Sequence, residues 1–526
     1  MDIKENVKRL SENKNTYIIV LTVLIALQVI CATYFFVFVK EGFHSDEVWS
    51  YGLANSFYEP FIYGDSLSND ASKCHKWVDG SDFKDYLTVQ KGEQFRYDSV
   101  WYNQSMDMHP PLFYTILHTI CSFFPDIFSK WFGFAINIAA MIIGQIFLAK
   151  TGYIATKSKV FSIILCALWG FSCGFINLNM FVRMYSLLTM FSILFLYSHC
   201  RLYYNEGSVK SNLIKIAVFA FCGALTHHYF LVAAFGLAAC FCFYYLFKKQ
   251  WKKMFAYALT MLGSIGLSIA VFPATIHHLF FMENTESRLA TMMPLVHGFR
   301  SCISYVLCAL TGISISVFST GFYAYIVVAL VCLAAICIPL CFLFRKEEFF
   351  RKFKGKVFSV LKSAKENFEL FPAFAFLAVV FVMLVVSFNV NINVMKEHTD
   401  RYLFLIMPWA AFILLMAARF IFSWIKPLKK YSNRISAVLV CFAVAFSNIF
   451  CTKHYIFQRY IMGEGAIEDT CTENSEYVVC VNYEWIITCF TDKLMNCSRV
   501  FPTTVYTYMD DKDAIAQMDL SKDCYR

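Results

Sequence analysis

Two adjacent carboxylates, Asp46 and Glu47, follow closely on the first long apolar run of the sequence, which ends near Val39. A carboxylate at the edge of an apolar layer is partly desolvated, so neighbouring charges can tune its pKa and its basicity. A tuned carboxylate is what a general base for a hydroxyl nucleophile requires. A second interpretation stays open, in which the two residues are a solvated pair that marks the end of the run.

A second polar segment contains Asp107, His109 and two consecutive prolines, Pro110 and Pro111. The prolines favour an extended entry into the short apolar segment that follows. Asp107 and His109 lie two residues apart, so in an extended chain their side chains share a face. There they could bind a diphosphate, a sugar hydroxyl or a metal ion. The alternative is a turn with polar flanks.

Two arginines, Arg183 and Arg401, stand beside apolar runs. An arginine at membrane level is costly unless it reaches water or meets an anion, and its planar guanidinium group suits phosphate oxygens. The alternatives are that Arg183 extends its side chain to the interface and that Arg401 pairs with Asp400.

A histidine pair, His227 and His228, begins another apolar run. Adjacent histidines could bind a metal ion, but the local spacing supplies no third ligand, and a plain interfacial pair is the alternative. A similar doublet at His277 and His278 weakens any special role for either pair.

The composition excludes a soluble enzyme. Of the 526 residues, 58% are hydrophobic and only 16% are charged, whereas a soluble domain carries about 25% charged residues. The same values exclude intrinsic disorder. Most of the 21 cysteines lie in apolar runs, where a thiol behaves as a small hydrophobe. No basic face with interleaved aromatic residues is evident, so nucleic acid is not a predicted partner.

The apolar runs predict about eleven membrane-spanning helices, because a span needs about 20 mostly apolar residues. The predicted spans are 17–39, 129–150, 160–178, 184–203, 212–226, 229–247, 254–273, 321–344, 371–392, 402–423 and 435–452. Two further apolar segments, 111–127 and 296–317, are predicted to be interfacial or re-entrant helices on the outer face. With that assignment the Lys and Arg clusters all fall on one side. The N-terminus is therefore predicted to be cytoplasmic and the C-terminus extracytoplasmic.

The predicted fold class is an all-α polytopic membrane protein with a small extracytoplasmic α/β tail. The membrane domain covers 1–454 and includes a long first outer loop, 40–128, with juxtamembrane helices; the tail domain covers 455–526. Two strand-like runs are predicted in the tail, Tyr477–Val481 and Trp485–Phe490. Its five cysteines could pair in an oxidising exterior, but their spacing fixes no connectivity.

This topology places all the polar segments at one outer interface. Such a cluster fits a polyanionic lipid headgroup and an acid–base reaction. It fits a transporter less well, because transporters place their charged residues near the bilayer midplane.

Taken in chain order, the polar segments resemble those of the GT-C superfamily of membrane glycosyltransferases. The similarity is to the glycosyltransferase family 39 kind, which is related to protein O-mannosyltransferases and to the lipid A aminoarabinose transferase. It extends over residues 17–410 and implies the GT-C fold. The matching segments are Asp46-Glu47, Asp107-x-His109-Pro110-Pro111-Leu112, Arg183-Met184-Tyr185-Ser186, His228-Tyr229 and Arg401-Tyr402.

The resemblance implies an enzyme of the hexosyltransferase type in the cell (plasma) membrane. Its donor would be a polyprenyl-phosphate sugar, and its acceptor a hydroxyl of a cell-envelope glycan, lipid or protein at the extracytoplasmic face. Transfer would invert the anomeric centre, with Asp46 as general base. The residues with implied roles are Asp46 and Glu47 for catalysis, Arg183, Arg401 and His228 for the donor phosphate, and Asp107, His109, Tyr185 and Tyr402 for orienting the substrates.

No metal cage is evident in the sequence, so no cofactor is expected. A divalent metal ion remains open, because some members of the superfamily use one at the first-loop carboxylate.

Two other functions stay open. A lipid-linked sugar flippase or transporter would move its substrate without bond chemistry and would tolerate Asp46→Asn. An inactive, binding-only scaffold is the third reading, although keeping isolated charges at membrane level has a cost.

Overall fold

The computed structural model describes residues 14–40, 42–64, 72–280, 293–312, 368–389, 399–424, 432–446 and 471–525, with a few single positions between 355 and 362. In these ranges the chain is mainly helical and has one small sheet. The predicted span 321–344 and the domain boundary at 454/455 lie outside the described residues, as does the end of the predicted span 435–452.

The elements of these ranges are numbered in chain order. The helices are α1 (Lys14–Phe38), α2 (Ser45–Asn55), α3 (Gly80–Leu87), α4 (Tyr97–Met106), α5 (Leu112–Ser122), α6 (Lys130–Thr156), α7 (Lys159–Gly170), α8 (Cys173–Met180), α9 (Tyr185–Tyr203), α10 (Val209–Ala224), α11 (His228–Phe247), α12 (Trp251–Val271), α13 (Ala274–Phe280), α14 (Met293–Thr311), α15 (Leu370–Asn389), α16 (Met407–Trp424), α17 (Ser432–Phe446), α18 (Thr491–Leu494) and α19 (Lys512–Ile515). The strands are β1 (Val78–Asp79), β2 (Ser475–Val481), β3 (Arg499–Thr504) and β4 (Asp523–Tyr525). Two 3-10 helices cover Thr399–Ile406 and Glu484–Phe490.

Within the described part of the chain, six helices are long and apolar enough to cross a membrane. They are α1, α6, α11, α12, α15 and the helical run Arg401–Ser423. This finding confirms a membrane protein with several spans, while the remaining spans of the predicted eleven stay a prediction.

The predicted single span 160–178 is wrong in one respect, because α7 and α8 meet at an angle of 60°. The break falls at Phe171 and Ser172. The Ser172 side chain accepts a hydrogen bond from the Phe175 N–H and so starts a new helix there, as a serine N-cap does. The bent pair counts as a seventh crossing only if the two helices form one span.

The two ambiguous apolar segments both contain helices. Helix α5 has 11 residues, and at about 1.5 Å per residue it is roughly half as long as the ~30 Å hydrocarbon core. It therefore cannot cross alone. Helix α14 has 19 residues and packs against α15. Gly298 of α14 lies so close to Ser387 of α15 that any side chain at position 298 would place its Cβ 3.0 Å from the Ser387 Cβ. The interfacial placement of α14 stays a prediction.

Helix α9 lies in the centre of the bundle, and nearly all of its residues are buried. The Ser192 hydroxyl donates to the Leu405 carbonyl at 2.7 Å, and the Trp409 indole donates to the Ser192 carbonyl at 3.2 Å. These bonds join α9 to the 3-10 helix Thr399–Ile406 and to α16. The middle of α9 is thereby joined to the end of that 3-10 helix and to the start of α16.

The small sheet has the strand order β1-β3-β2-β4. Strand β2 pairs in parallel with β3 and with β4, while β1, which comes from the first loop, pairs antiparallel with β3. The predicted strand Tyr477–Val481 is confirmed as part of β2. The predicted strand Trp485–Phe490 is wrong, because this segment is a 3-10 helix. A short apolar run does not distinguish a strand from a helical turn, and four consecutive residues are buried here.

The first loop and the tail form one structural unit, which we call the loop–tail unit and define as residues 72–87 and 471–525. The His75 ring bonds to Asp511 at 2.8 Å and to Glu484 at 3.1 Å. The Trp77 indole donates to the Ala514 carbonyl at 2.8 Å, and the Arg499 guanidinium lies 4.7 Å from the Trp77 ring centroid. The tail therefore does not stand apart from the loop that carries Asp46.

Candidate active site

Asp46 lies in the first turn of α2, whose start is fixed by a reciprocal cap. The His44 ring accepts from the Asp46 N–H at 3.1 Å, and the Glu47 carboxylate accepts from the His44 N–H at 2.8 Å. This is a capping-box arrangement, and negative charge is favourable at the N-terminal end of a helix. The local sequence thus fixes the start of α2 and the place of Asp46 in its first turn.

An ion pair joins Asp46 to Arg401, with Nη1 and Oδ2 at 2.5 Å. The two side chains are 12% and 18% exposed, so their attraction is on the order of 4 kcal/mol at an intermediate effective dielectric. Burial opposes ionisation of Asp46, but Arg401 and Arg183 outweigh it and hold the pKa of the carboxyl well below its usual range. Asp46 is therefore an anion at neutral pH.

Arg183 is buried and holds the same turn of α2 from the other side. Its Nη1 donates to the Asp46 carbonyl at 2.6 Å and to the Ser50 hydroxyl at 3.3 Å. Its Nε has no hydrogen-bond partner among the described residues. The Asn137 amide donates to the Phe181 carbonyl at 2.8 Å and so shapes the turn before Arg183. Sequence reasoning missed Asn137, whose signal is an amide inside an apolar helix, since buried polar groups need partners.

Glu47 is fully buried and both of its oxygens are engaged. One oxygen pairs with Lys40 and accepts from the Val182 N–H at 2.7 Å, while the other accepts from the His44 N–H. Lys40 also donates to the Met180 carbonyl at 2.8 Å. Glu47 thus joins the end of α1, the start of α2 and the turn that carries Arg183. Lys40 is a second residue that sequence reasoning missed.

Asp107 and His109 form the pair that their spacing predicts. Asp107 Oδ2 and His109 Nδ1 are 2.7 Å apart. Burial favours the neutral carboxyl, but the attraction of His109 outweighs it and lowers the pKa of Asp107. The His109 ring centroid lies 5.5 Å from that of His227. The pair therefore borders the histidine doublet rather than standing alone.

Aromatic rings connect the doublet to the arginine side of the site. Tyr185 lies 5.6 Å from His227 and 6.4 Å from Tyr402, measured between ring centroids. The Tyr402 hydroxyl accepts from Arg401 Nη2 at 3.3 Å. His228 packs beside a different ring, that of His278, at 5.6 Å.

The structure thus gathers most of the sequence-predicted residues into one region in two contact groups, while the His228 ring packs beside that of His278. Asp46 contacts Arg183 and Arg401, and Asp107 contacts His109, with the rings of Tyr185 and Tyr402 on the arginine side. Glu47 is the next residue of α2 and bonds to the backbone N–H groups of His44 and Val182. In the described ranges, no group of three or more His, Cys, Asp or Glu side chains is arranged to hold a metal ion; metal independence stays a prediction.

The tail contributes to the site in a way that the sequence did not reveal. The 3-10 helix Glu484–Phe490 packs on α2, with the Trp485 ring centroid 6.1 Å from that of Trp49. The Trp49 indole nitrogen is buried and has no hydrogen-bond partner in the described part of the structure. No motif in the tail signals this contact, because two separate tryptophans carry no spacing pattern.

The fold and the site define a polytopic membrane protein with a buried cluster of acidic, basic and aromatic residues. No family model and no curated protein matches the chain. Among solved structures, the chain is similar to the crystal structure of ArnT from Cupriavidus metallidurans in the apo state, at 10% sequence identity and a TM-score of 0.48, with 94% of each chain covered. At that identity and TM-score the similarity assigns no activity to this chain.

Proposed function

We propose that the chain is a membrane glycosyltransferase of the GT-C type. It moves a sugar from a polyprenyl-phosphate donor to an acceptor hydroxyl and inverts the anomeric centre. The observation that carries the proposal is the buried group in which the Asp46 carboxylate pairs with Arg401, while the Arg183 guanidinium donates to the Asp46 backbone carbonyl. A carboxylate can take the proton of an attacking hydroxyl, and guanidinium groups bind phosphate oxygens.

In the proposed reaction the acceptor oxygen attacks the anomeric carbon, and the bond from that carbon to the phosphate oxygen breaks. The hydroxyl proton passes to Asp46, and the lipid phosphate leaves with the bonding electron pair. Arg183 and Arg401 stabilise the charge that develops on the phosphate. Of the two arginines, only Arg401 holds the Asp46 carboxylate itself.

Donor binding would also change the basicity of Asp46. With Arg401 as its counterion, the carboxylate is a weak base, because its pKa is held low. A phosphate that engages Arg401 brings negative charge next to Asp46 and draws the guanidinium away from it. Both effects raise the proton affinity of Asp46, so the base becomes effective only when the donor is present.

The other residues have supporting roles in the proposal. Glu47 positions the turn of α2, and His228 contributes to donor binding. The substrates are oriented by Asp107, His109, Tyr185 and Tyr402. The reaction takes place at the extracytoplasmic face of the cell membrane without a metal ion, with the N-terminus cytoplasmic and the C-terminus extracytoplasmic. The acceptor is a glycan, lipid or protein of the cell envelope.

The first experiment uses the full chain in detergent, with a panel of polyprenyl-phosphate hexoses and membranes that contain the acceptor. Release of polyprenyl phosphate is measured. Asp46→Asn keeps the side-chain shape but removes the base, so transfer should fall by about 10²–10⁴-fold. Asp98→Asn is the matched control, because Asp98 lies in the same loop and is 50% exposed.

The outcome separates the proposal from a flippase. A flippase would move the lipid across vesicles without releasing polyprenyl phosphate, and it would tolerate Asp46→Asn. Wild-type rates of release in Asp46→Asn would refute the role of Asp46 as base.

A further inference from the structure

One ring nitrogen of His227 is hydrogen bonded, and the other has no hydrogen-bond partner among the residues that the structure describes. It is the N-cap of α11, and its Nδ1 accepts from the Tyr229 N–H at 3.0 Å. A ring nitrogen that accepts from an N–H carries no proton. In the neutral ring the proton must therefore be on Nε2, which makes Nε2 a donor.

The Nε2 of His227 has no hydrogen-bond partner among the described residues. The side chain belongs to a residue that is only 4% exposed, so water does not satisfy it freely. Buried donors are almost always paired in folded proteins. An unpaired donor at this depth, next to the proposed reaction centre, marks a position that a bound group would fill.

The surroundings of the ring indicate the charge of that group. The His109, Tyr185 and Tyr229 ring centroids lie 5.5, 5.6 and 5.3 Å from that of His227. Burial lowers the pKa of His227 well below its ordinary value, and His109, His228, Arg183 and Arg401 lower it further. The imidazole is therefore a neutral donor near the guanidinium groups of Arg183 and Arg401, which favour an anionic acceptor.

We propose that the Nε2–H of His227 donates a hydrogen bond to a phosphate oxygen of the donor lipid, and that it keeps this bond to the polyprenyl phosphate product. The inference rests on the proposed function and deepens it. It adds a second contact to the donor binding proposed for His228, whose ring packs beside that of His278. No proton is transferred in this step; His227 binds and does not act as an acid.

Two substitutions separate the donor from the cap. His227→Asn keeps an oxygen that can cap α11, because asparagine is a good N-cap residue, but its amide is too short to replace Nε2. His227→Gln carries an N–H at about the reach of Nε2. His277→Asn, an exposed histidine of the second doublet, is the matched control.

The probe is polyprenyl phosphate alone, with its affinity for the full chain measured in detergent. A hydrogen bond to a charged group contributes enough that His227→Asn should bind about tenfold more weakly. His227→Gln should retain most of the affinity, and His277→Asn should bind as the wild type does. The Michaelis constant for the intact donor should rise in parallel in His227→Asn.

Four results would overturn the inference or its basis. Wild-type affinity in His227→Asn would show that Nε2 does not contact the lipid. A larger loss in His227→Gln than in His227→Asn would assign His227 a capping role only, because asparagine retains the cap. A loss with the intact donor but not with polyprenyl phosphate would move the contact to the sugar. If the wild type neither binds polyprenyl phosphate nor releases it, the proposed function itself fails.

Discussion

Loss of the Asp46 charge should chiefly reduce activity, whereas loss of the Glu47 charge should chiefly reduce stability. The substitution Glu47→Gln tests the second expectation. In the wild type, three donors share the two Glu47 oxygens, namely Lys40 and the N–H groups of His44 and Val182. Glutamine has one acceptor oxygen and no charge. Lys40 is then a buried cation without its counterion, and at least one backbone N–H has a poorer acceptor.

The expected loss follows from these contacts. Removing one partner of a buried ion pair costs about 3–5 kcal/mol of unfolding free energy. Burial lowers the pKa of Lys40 even beside Glu47, which acts in the opposite direction. Without Glu47 its pKa falls further, so the unfolded chain binds more protons than the folded one as pH rises toward the ordinary lysine value. Stability of the variant therefore rises with pH, and its deficit should shrink as the pH rises from neutral toward the ordinary lysine value.

The assay is reversible denaturant unfolding of the full chain in mixed micelles. The double variant Lys40→Met, Glu47→Gln should recover most of the lost free energy, because an apolar replacement of both partners removes the unpaired charge. Asp46→Asn, measured in parallel, should lose less stability than Glu47→Gln, because the Asp46 and Arg401 side chains are 12% and 18% exposed whereas those of Glu47 and Lys40 are 0% and 3% exposed. The reasoning is refuted if Glu47→Gln unfolds with the wild-type free energy, or if the double variant is no more stable than Glu47→Gln.

Three further predictions concern other contacts. Arg401→Lys keeps a positive charge beside Asp46 but loses the planar fork, so the rate of sugar transfer should fall about tenfold or more; an unchanged rate would mean that Arg401 serves only as a counterion. The pKa of His75 is raised, because its two carboxylate partners outweigh the effect of burial. The stability that His75 gives to the loop–tail contact is therefore complete below about pH 6.5. It is lost as the pH rises through the pKa that His75 has in the folded protein. Limited proteolysis of the tail should therefore speed up as the pH rises above about 6.5 in the wild type but not in His75→Gln. The same pH dependence in both proteins would contradict this role. Cys471 and Cys497 are in side-chain contact, so in an oxidising exterior they should form a disulfide. The linked peptide pair should then have a mass two hydrogen atoms below the sum of the two reduced peptides. Free thiols at these positions in protein from intact cells would contradict the extracytoplasmic placement of the tail.

Much of the helical framework can be predicted because apolar runs are local signals. The run that begins at Tyr17 becomes α1, and the predicted span 371–392 becomes α15 with nearly the same limits. The convergence of Asp46 and Arg401 could also be anticipated, since topology alone brings loops to one side of a membrane. In these cases the apolar composition of a run, or the order of the spans along the chain, is sufficient for the prediction.

The remaining features depend on tertiary contacts that leave no trace in a window of sequence. Strand β1 has two residues, too few for an alternating pattern. His227 caps α11 and His228 does not, and this decides which ring nitrogens are already bonded. The sequence cannot distinguish two adjacent histidines until the first residue of the helix is known. The ion pair of Lys40 with Glu47 requires the exact turn between α1 and α2, which Gly42 makes with a positive φ of 63°.

The pairing of Val78 with Val500 has a consequence for how the protein is made. A ribosome finishes residue 78 long before residue 500, and the helices between them must enter the membrane in the meantime. During that interval β1 has no partner, and the 3-10 helix that supports α2 does not yet exist. The chain is thus expected to stay catalytically silent until its last segment docks, and any premature stop would leave an inserted but inactive protein.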